Sequence, residues 1–386
     1  MPNASRLDTL DLLRGLAAVV VLAGHLRSYI FQSFGELEQA GVQVGTFVRI
    51  FYFATGLGHQ AVMIFFALSG FLVGGKALDD IAKHKFVWSI YLLRRLTRLW
   101  IVIVPTLLLT LAFDQIGMWL TSEAGYDGRY YDLYSQGPSG PAGVDHSMST
   151  FFGNLAFLQT IYCPAFGSNG PMWSLANEFW YYIIFPLVAW VALARATAVG
   201  RTIGSFIAIA LVIVLPRLLL EGGLIWVAGL AAAWCSRRQS LAWLLQSIVL
   251  RSGAVALLVA MLVASKIPAT GIGDLGLGLA VALILPIFAH LPSPGSTYTA
   301  VARGLSEISY TLYLTHLPLL TLIVFGGFAP MRWAPSLQAA GIYAILFLVS
   351  TVWAAVIWWC FERHTDSVYS LITTTLTSGQ RLKVKN

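Results

Sequence analysis

Runs of apolar residues, broken by short polar or Gly- and Pro-bearing intervals, recur along the whole 386-residue chain. A bilayer crossing needs about 20 such residues. Ten stretches approach that requirement: 10–32, 47–75, 99–120, 178–194, 203–220, 222–235, 241–264, 275–291, 305–326 and 336–360. The pattern predicts an all-α integral membrane protein, a bundle of about ten transmembrane helices. The fifth and sixth stretches are separated only at Glu221-Gly222-Gly223, the sixth is short, and Arg251 interrupts the seventh. The expected domain organisation is one transmembrane domain over 1–386 with a short cytoplasmic tail at 361–386.

Composition strengthens this reading. Hydrophobic residues make up 58% of the chain and charged residues 11%, against about 25% charged in an ordinary globular domain. Such a chain cannot coat a water-facing surface, which excludes a soluble multidomain enzyme, a coiled coil and a disordered chain. Cys163, Cys235 and Cys360 match no CxxC or zinc spacing, so neither a disulfide scaffold nor a metal is expected. A net charge of +7 would suggest nucleic acid in a soluble protein; here it reads as positive-inside anchoring, and no nucleic acid is expected.

Orientation follows from where the cations fall. A cytoplasmic N-terminus places most Lys and Arg on the cytoplasmic side, among them Arg6, Arg14, Arg94, Arg95, Arg98, Arg195, Arg201, Arg238 and Lys385. It leaves Arg27, Arg49, Arg129, Arg217, Lys266 and Arg332 toward the other side. Both termini are therefore expected in the cytoplasm. Only one crossing then fits between the third span and Arg195, so the short apolar stretch 151–161 is expected to be re-entrant or interfacial. With the polar, aromatic stretch before it, this forms a long outer region ending at Asn177. A non-spanning segment of that length is usually functional.

Ionisable side chains inside a bilayer are costly and point to function. Arg14 and His25 lie eleven positions apart in the first span, about three turns plus 20°, so they share a face about 16 Å apart along the axis. A snorkelling Arg paired with Asp11 and a packing His is the bland alternative. Arg95 and Arg98 share a face at i,i+3 before the third span, either as anchors or as a phosphate clamp. Glu178, within Trp173-Ser-Leu-Ala-Asn-Glu178-Phe-Trp-Tyr-Tyr182, is either a helix-start carboxylate or an acid/base group. Ser309, Tyr310, Tyr313 and His316 include a polar stripe on the ninth span, readable as an interhelical hydrogen bond. Ser69-Gly70 reads as small-residue packing, with a nucleophilic Ser69 as the sharper alternative.

In their order these segments resemble membrane acyltransferase family 3, in a stand-alone form without an SGNH-type hydrolase domain. The matching motifs are Asp11-Leu-Leu-Arg14 with His25, Phe65-Phe66-Ala-Leu-Ser69-Gly70, Arg95-x-x-Arg98, Trp173-Ser174-Leu-x-x-Glu178-Phe, Ser309-Tyr310-x-Leu-Tyr313-Leu-x-His316 and Phe361-Glu362-Arg363. Departures are Ala61 and Met63, where many members carry Gly and an acidic residue, and His364 in place of Pro. The resemblance implies an O-acyltransferase, most often an acetyltransferase, in a bacterial inner (cytoplasmic) membrane. It would move an acyl group from cytoplasmic acetyl-CoA or another acyl-CoA onto a hydroxyl of an extracytoplasmic or lipid-linked glycan. It implies a catalytic His25, Arg14, Arg95 and Arg98 around the donor, and Glu178 near the acceptor side; the expected roles are His25 as the base, with an acyl-His intermediate as the alternative, Glu178 orienting His25 or the acceptor sugar, and substrate contacts at Trp173, Ser69, Ser309, Tyr310 and His316. Outer-loop aromatics Tyr126, Tyr130, Tyr131, Tyr134 and Trp173 are expected to stack on sugars. The lipid bilayer, acyl-CoA and the saccharide acceptor are the expected partners, with a homo-oligomer left open. A transporter of a small anion or lipid-linked sugar would also place His, Glu and Arg in a ten-helix bundle. Against it stands the lack of an inverted repeat. A catalytically silent scaffold is the third class.

Overall fold

The computed structural model describes residues 7–134, 140–193, 197–237 and 247–383. Arg6, Arg195, Arg238 and Lys385, residue 194 of the fourth expected span and residues 241–246 of the seventh lie outside them. Among the described residues the chain is helical, without extended strands: α1 (Asp8–Ile30), α2 (Phe34–Gln39), α3 (Thr46–Thr55), α4 (Gly58–Ser69), α5 (Gly75–Ala82), α6 (Trp88–Thr121), α7 (Met148–Leu155), α8 (Trp173–Leu193), α9 (Ala198–Val214), α10 (Arg217–Ser236), α11 (Ile248–Ala264), α12 (Asp274–Ala289), α13 (Ser296–Gly327), α14 (Leu337–Cys360) and α15 (Thr365–Lys383). Each of the ten expected spans contains a helix. Seven of the described helices are long and apolar enough to cross a membrane, counting α4 and α5 as one through the π-helical turn Gly70–Gly74. The apolar helices α9, α11 and α12 are shorter.

Two boundaries differ from expectation for identifiable reasons. The stretch 47–75 is not one helix. It breaks at Gly56-Leu57 into α3 and α4, because a Gly at the helix end followed by another at Gly58 removes helix propensity where apolarity alone does not. The stretch 203–220 ends as helix at Val214, since Pro216 holds Leu215 extended and opens α10. The third helix instead runs longer than its apolar run: α6 begins at Trp88 and carries Arg94, Arg95 and Arg98 on its first turns.

At the centre α1 and α13 pack side by side and parallel. Their polar contacts keep nearly constant register: Thr299 Oγ1 donates to Asp8 Oδ2 at 2.5 Å, Arg14 Nε to Ser306 Oγ at 2.8 Å, and the hydroxyls of Tyr29 and Thr321 meet at 2.9 Å. Close approach needs a missing side chain: a Cβ on Gly15 would stand 2.5 Å from that of Leu305. The end of α4 crosses α10 as tightly, since a Cβ on Gly229 would meet the Ala67 carbonyl oxygen at 2.0 Å.

The segment from α7 to α8 enters the bundle. Trp100 Nε1 on α6 donates to the Leu155 carbonyl at 3.0 Å, and Trp180 Nε1 on α8 donates to that of Phe157 at 3.0 Å. Trp100 lies about 30 Å of helix from the Thr121 end of α6, so the chain descends and returns beside α6 and α8, as a re-entrant segment must. Irregular backbone at that depth needs internal partners. Fully buried Asn154 supplies them, donating to the carbonyls of Thr150 and Pro164 and accepting from Phe166 N. Beyond α14, α15 lies on the start of α6, where Arg94 sits 5.0 Å over the Tyr369 ring.

Candidate functional site

Two cavities enter the bundle from opposite ends of α1. The first, of about 490 Å³, opens beside the basic start of α6. Arg14, Lys76, Lys85, Arg94, Arg95 and Arg98 line it, facing only Asp80 and Glu178 as carboxylates. The cations are differently prepared. Arg14 is held by Asp11 at 3.0 Å and by Ser306. The Arg95 guanidinium lies 5.9 Å over the Tyr91 ring and 5.8 Å over that of Tyr182, and its buried Nε has no hydrogen-bond partner. Arg98 is exposed on the same wall. An aromatic-framed guanidinium with unspent donors is a ready phosphate contact. Lys76 and Lys85 join this wall, Lys76 paired at i,i+4 with Asp80 at 3.3 Å; nothing in their sequence surroundings marks them apart from the other cations expected on the cytoplasmic side.

The inner end of this cavity is polar. Ser69, Ser174, Glu178, Tyr182, Ser309, Tyr310 and Tyr313 lie on its wall. A directed chain crosses it: Trp226 Nε1 donates to Ser69 Oγ at 3.1 Å, Ser69 meets the Tyr182 hydroxyl at 3.2 Å, and Tyr182 donates to Glu178 Oε1. Ser309 is satisfied within its own helix, donating to the Ser306 carbonyl at 2.7 Å, and Tyr310 donates to that of Leu99 at 3.3 Å.

The second cavity, of about 380 Å³, lies toward the Ile30 end of α1 and is lined by His25, Arg27, His59, Trp173, Lys266 and Tyr313 among others. His25 is partly buried and Tyr313 buried. His25 therefore does not share a cavity with Arg14, Arg95 and Arg98. Tyr313 lines both spaces and separates them. Its hydroxyl donates to the Pro171 carbonyl at 2.9 Å and so accepts from Ser174 Oγ at 2.7 Å, with Phe65 packed edge-on at 5.8 Å.

His25 is held by His316, whose ring lies nearly coplanar with it, edge to edge, at 11° between planes and 5.0 Å between centroids, with Nε2 2.7 Å from His25 Nδ1. The other nitrogen of His316, Nδ1, lies 2.7 Å from the Leu312 carbonyl, which can only accept. With both rings neutral, His316 Nδ1 carries the proton, its Nε2 accepts, and His25 Nδ1–H donates. The lone pair of His25 is thereby assigned to Nε2. His316, expected at the substrate, is 1% exposed, lines neither cavity and sits behind His25. Glu178 faces the arginine-lined cavity and not His25. The polar stripe of the ninth span thus divides: Ser309 and Tyr310 face the first cavity, Tyr313 the partition, His316 the imidazole.

Of the aromatics expected to stack on sugars, Trp173 lines the second cavity, 6.1 Å from the His59 ring. Tyr126 and Tyr134 do not fit that expectation. Both are buried against Phe325, because the outer segment folds back onto α13 and spends them as core. Glu362, noted in sequence only as part of a closing signature, is buried and accepts from Thr311 Oγ1 at 2.6 Å, and its charge reaches Arg98 and Arg14.

The profile of the acyltransferase domain of family 3 matches residues 7–359, nearly the whole chain. The chain belongs to acyltransferase family 3. A curated relative of this family 3 chain, Acyltransferase MdmB of Streptomyces mycarofaciens, is 30% identical over 202 residues. That match covers 52% of this chain and 43% of MdmB, so the chain spans under half the length of that relative. No solved structure matches this family member.

Proposed function

We propose that this chain is a membrane O-acyltransferase. In this reading acyl-CoA, acetyl-CoA in the first instance, enters the arginine-lined cavity from the cytoplasm with its phosphates on Arg14, Arg95 and Arg98. The pantetheine arm follows the α1–α13 seam past Tyr313, and a hydroxyl-bearing saccharide occupies the second cavity. The single observation that carries the reading is the placement of Tyr313 between a cation-lined cavity and the cavity holding His25. Arg14 and His25 stand about 16 Å apart along one helix, a separation that suits an extended thiol carrier with an anionic head.

The chemistry follows from the tautomer. His25 Nε2 takes the acceptor's O–H proton as that oxygen attacks the thioester carbonyl carbon. The resulting imidazolium keeps its Nδ1–H on His316 Nε2, a neutral acceptor backed by the Leu312 carbonyl. Collapse of the tetrahedral intermediate breaks the C–S bond, and His25 returns the proton to the departing sulfur, giving ester and free thiol. No acyl-enzyme is required. Glu178, through Tyr182, holds the wall of the donor cavity rather than the base.

The test uses membranes of cells making the protein, supplied with acyl-labelled acetyl-CoA, with label in saccharide and free thiol measured together. His25→Ala, inserted and folded, abolishes both. Full transfer in that variant removes His25 from the mechanism, and transport of label without thiol release replaces the enzyme reading by the transporter.

A further inference from the structure

The second cavity carries an unbalanced charge. Arg27 and Lys266 line it together with His25 and His59, and no Asp or Glu is among its lining residues. Most described arginines near a carboxylate are paired: Arg14 with Asp11, Arg129 with Asp127, Arg303 with Glu307 and Arg332 with Glu36. Arg27 forms no ion pair among the described residues. Its guanidinium lies 5.1 Å over the Tyr52 ring, and its buried Nε has no hydrogen-bond partner. Lys266 forms no ion pair either, and its alkyl chain passes near Gly56 at the break between α3 and α4. Burial, and then the charge of Arg27, pull its ammonium below the usual lysine range. The nearby carboxylate of Asp274 is engaged by His59 at 2.7 Å.

Arg27 is partly buried and Lys266 exposed at the mouth of the cavity, and two like charges set side by side there repel each other. Such a pair persists at a binding site when an anion completes it. Arg27 and His25 line the same cavity, so an anion held by Arg27 shares that space with the imidazole. Trp173 adds a flat apolar face on the same wall, and about 380 Å³ is room for a small saccharide unit rather than an extended glycan.

Building on the function proposed above, we infer that the acceptor is anionic, a saccharide bearing a carboxylate or phosphate that Arg27 and Lys266 bind while His25 receives the proton of its hydroxyl. The anion is either part of the sugar or the phosphate linking it to a lipid. Arg27 offers a planar fork to either, and Lys266 a point charge.

The full-length protein in nanodiscs is given labelled acetyl-CoA and one of three acceptors: octyl β-glucoside, octyl β-glucuronide or decyl diphosphate-linked glucose. The wild type should favour a charged acceptor over the neutral glucoside by about tenfold or more in kcat/KM, the scale of one charge-assisted contact. The preferred arm tells a sugar-borne charge from a lipid-linked one. Arg27→Gln and Lys266→Gln should each collapse the preference toward unity, and Arg27→Lys should restore part of it. Equal losses on charged and neutral acceptors would overturn the inference, assigning the cations to the thioester oxygen. So would wild-type preference for the glucoside. Should none of the three be turned over, equilibrium binding of labelled octyl glucuronide and octyl glucoside decides: tighter glucuronide binding lost in Arg27→Gln supports the inference, and equal binding refutes it. His25→Ala separates the two claims. Binding preference retained with full acyl transfer would sink the catalytic reading and leave the anionic site standing.

Discussion

Removing His316 tests the assignment of the base without touching either substrate. His316→Ala deletes the acceptor of His25 Nδ1–H, a 2.7 Å contact made by a fully buried ring to a partly buried one. A neutral hydrogen bond contributes about 1 kcal/mol net, and one to a charged donor about 1.5–3 kcal/mol. His25 is neutral in the ground state and cationic at the transition state, so the difference, about 0.5–2 kcal/mol, appears in kcat. That is about 2- to 30-fold, and loss of the tautomer assignment adds to it. KM for acyl-CoA should stay within about twofold, since His316 lines neither cavity. His316→Gln keeps an acceptor oxygen near the same place and should recover part of kcat, whereas His316→Leu should not. The assay is steady-state thiol release by purified protein, with thermal unfolding confirming that each variant is folded. A folded His316→Ala protein with unchanged kcat would refute the relay, as would Gln and Leu behaving alike.

Tyr313→Ala should join the two cavities and raise acceptor-independent thioester hydrolysis by about tenfold, because excluding water from the thioester is what the partition supplies; Tyr313→Phe should show far less, and no rise in the Ala variant would contradict the partition. Arg95→Gln should raise KM for acyl-CoA about tenfold, the worth of one charge-assisted contact, with kcat little changed; unaltered KM would make Arg95 a topology anchor. Gly229→Leu should lower stability by about 1–3 kcal/mol, read as a drop in unfolding temperature, since its Cβ would fall 2.0 Å from the Ala67 carbonyl oxygen. An unchanged unfolding temperature would mean that α4 and α10 do not cross there.

The helices and the residues of the site were legible because a bilayer makes apolar length and misplaced charge conspicuous. Arg14, His25, Arg95 and Arg98 announced themselves as ionisable groups in or beside apolar runs, and helical periodicity alone put Arg14 and His25 on one face. Their separation into two cavities was not legible. It depends on Tyr313, a residue on another helix whose role is set by Pro171 just before α8 and Ser174 on its first turn. The roles of His316 and Glu178 were hidden for a related reason: spacing along a helix gives a face but not what that face meets. Arg27 and Lys266 looked like stray cations on the less basic side, since only folding reveals that no carboxylate answers them. The aromatics of the outer segment misled because Tyr126 and Tyr134 serve equally as stacking surface or as core, and composition does not distinguish the two.

The central claim is that donor and acceptor meet at His25 from opposite sides of Tyr313. Cryo-electron microscopy of the protein with a non-cleavable thioether analogue of acetyl-CoA tests it most directly. The account predicts phosphates against Arg14, Arg95 and Arg98, with the arm passing Tyr313 and the carbonyl-equivalent carbon within about 3–4 Å of the acceptor position beside His25 Nε2. An analogue bound wholly outside the arginine-lined cavity, or one whose reactive end lies against Ser69 with Tyr313 still closed over an acceptor-filled second cavity, would contradict it.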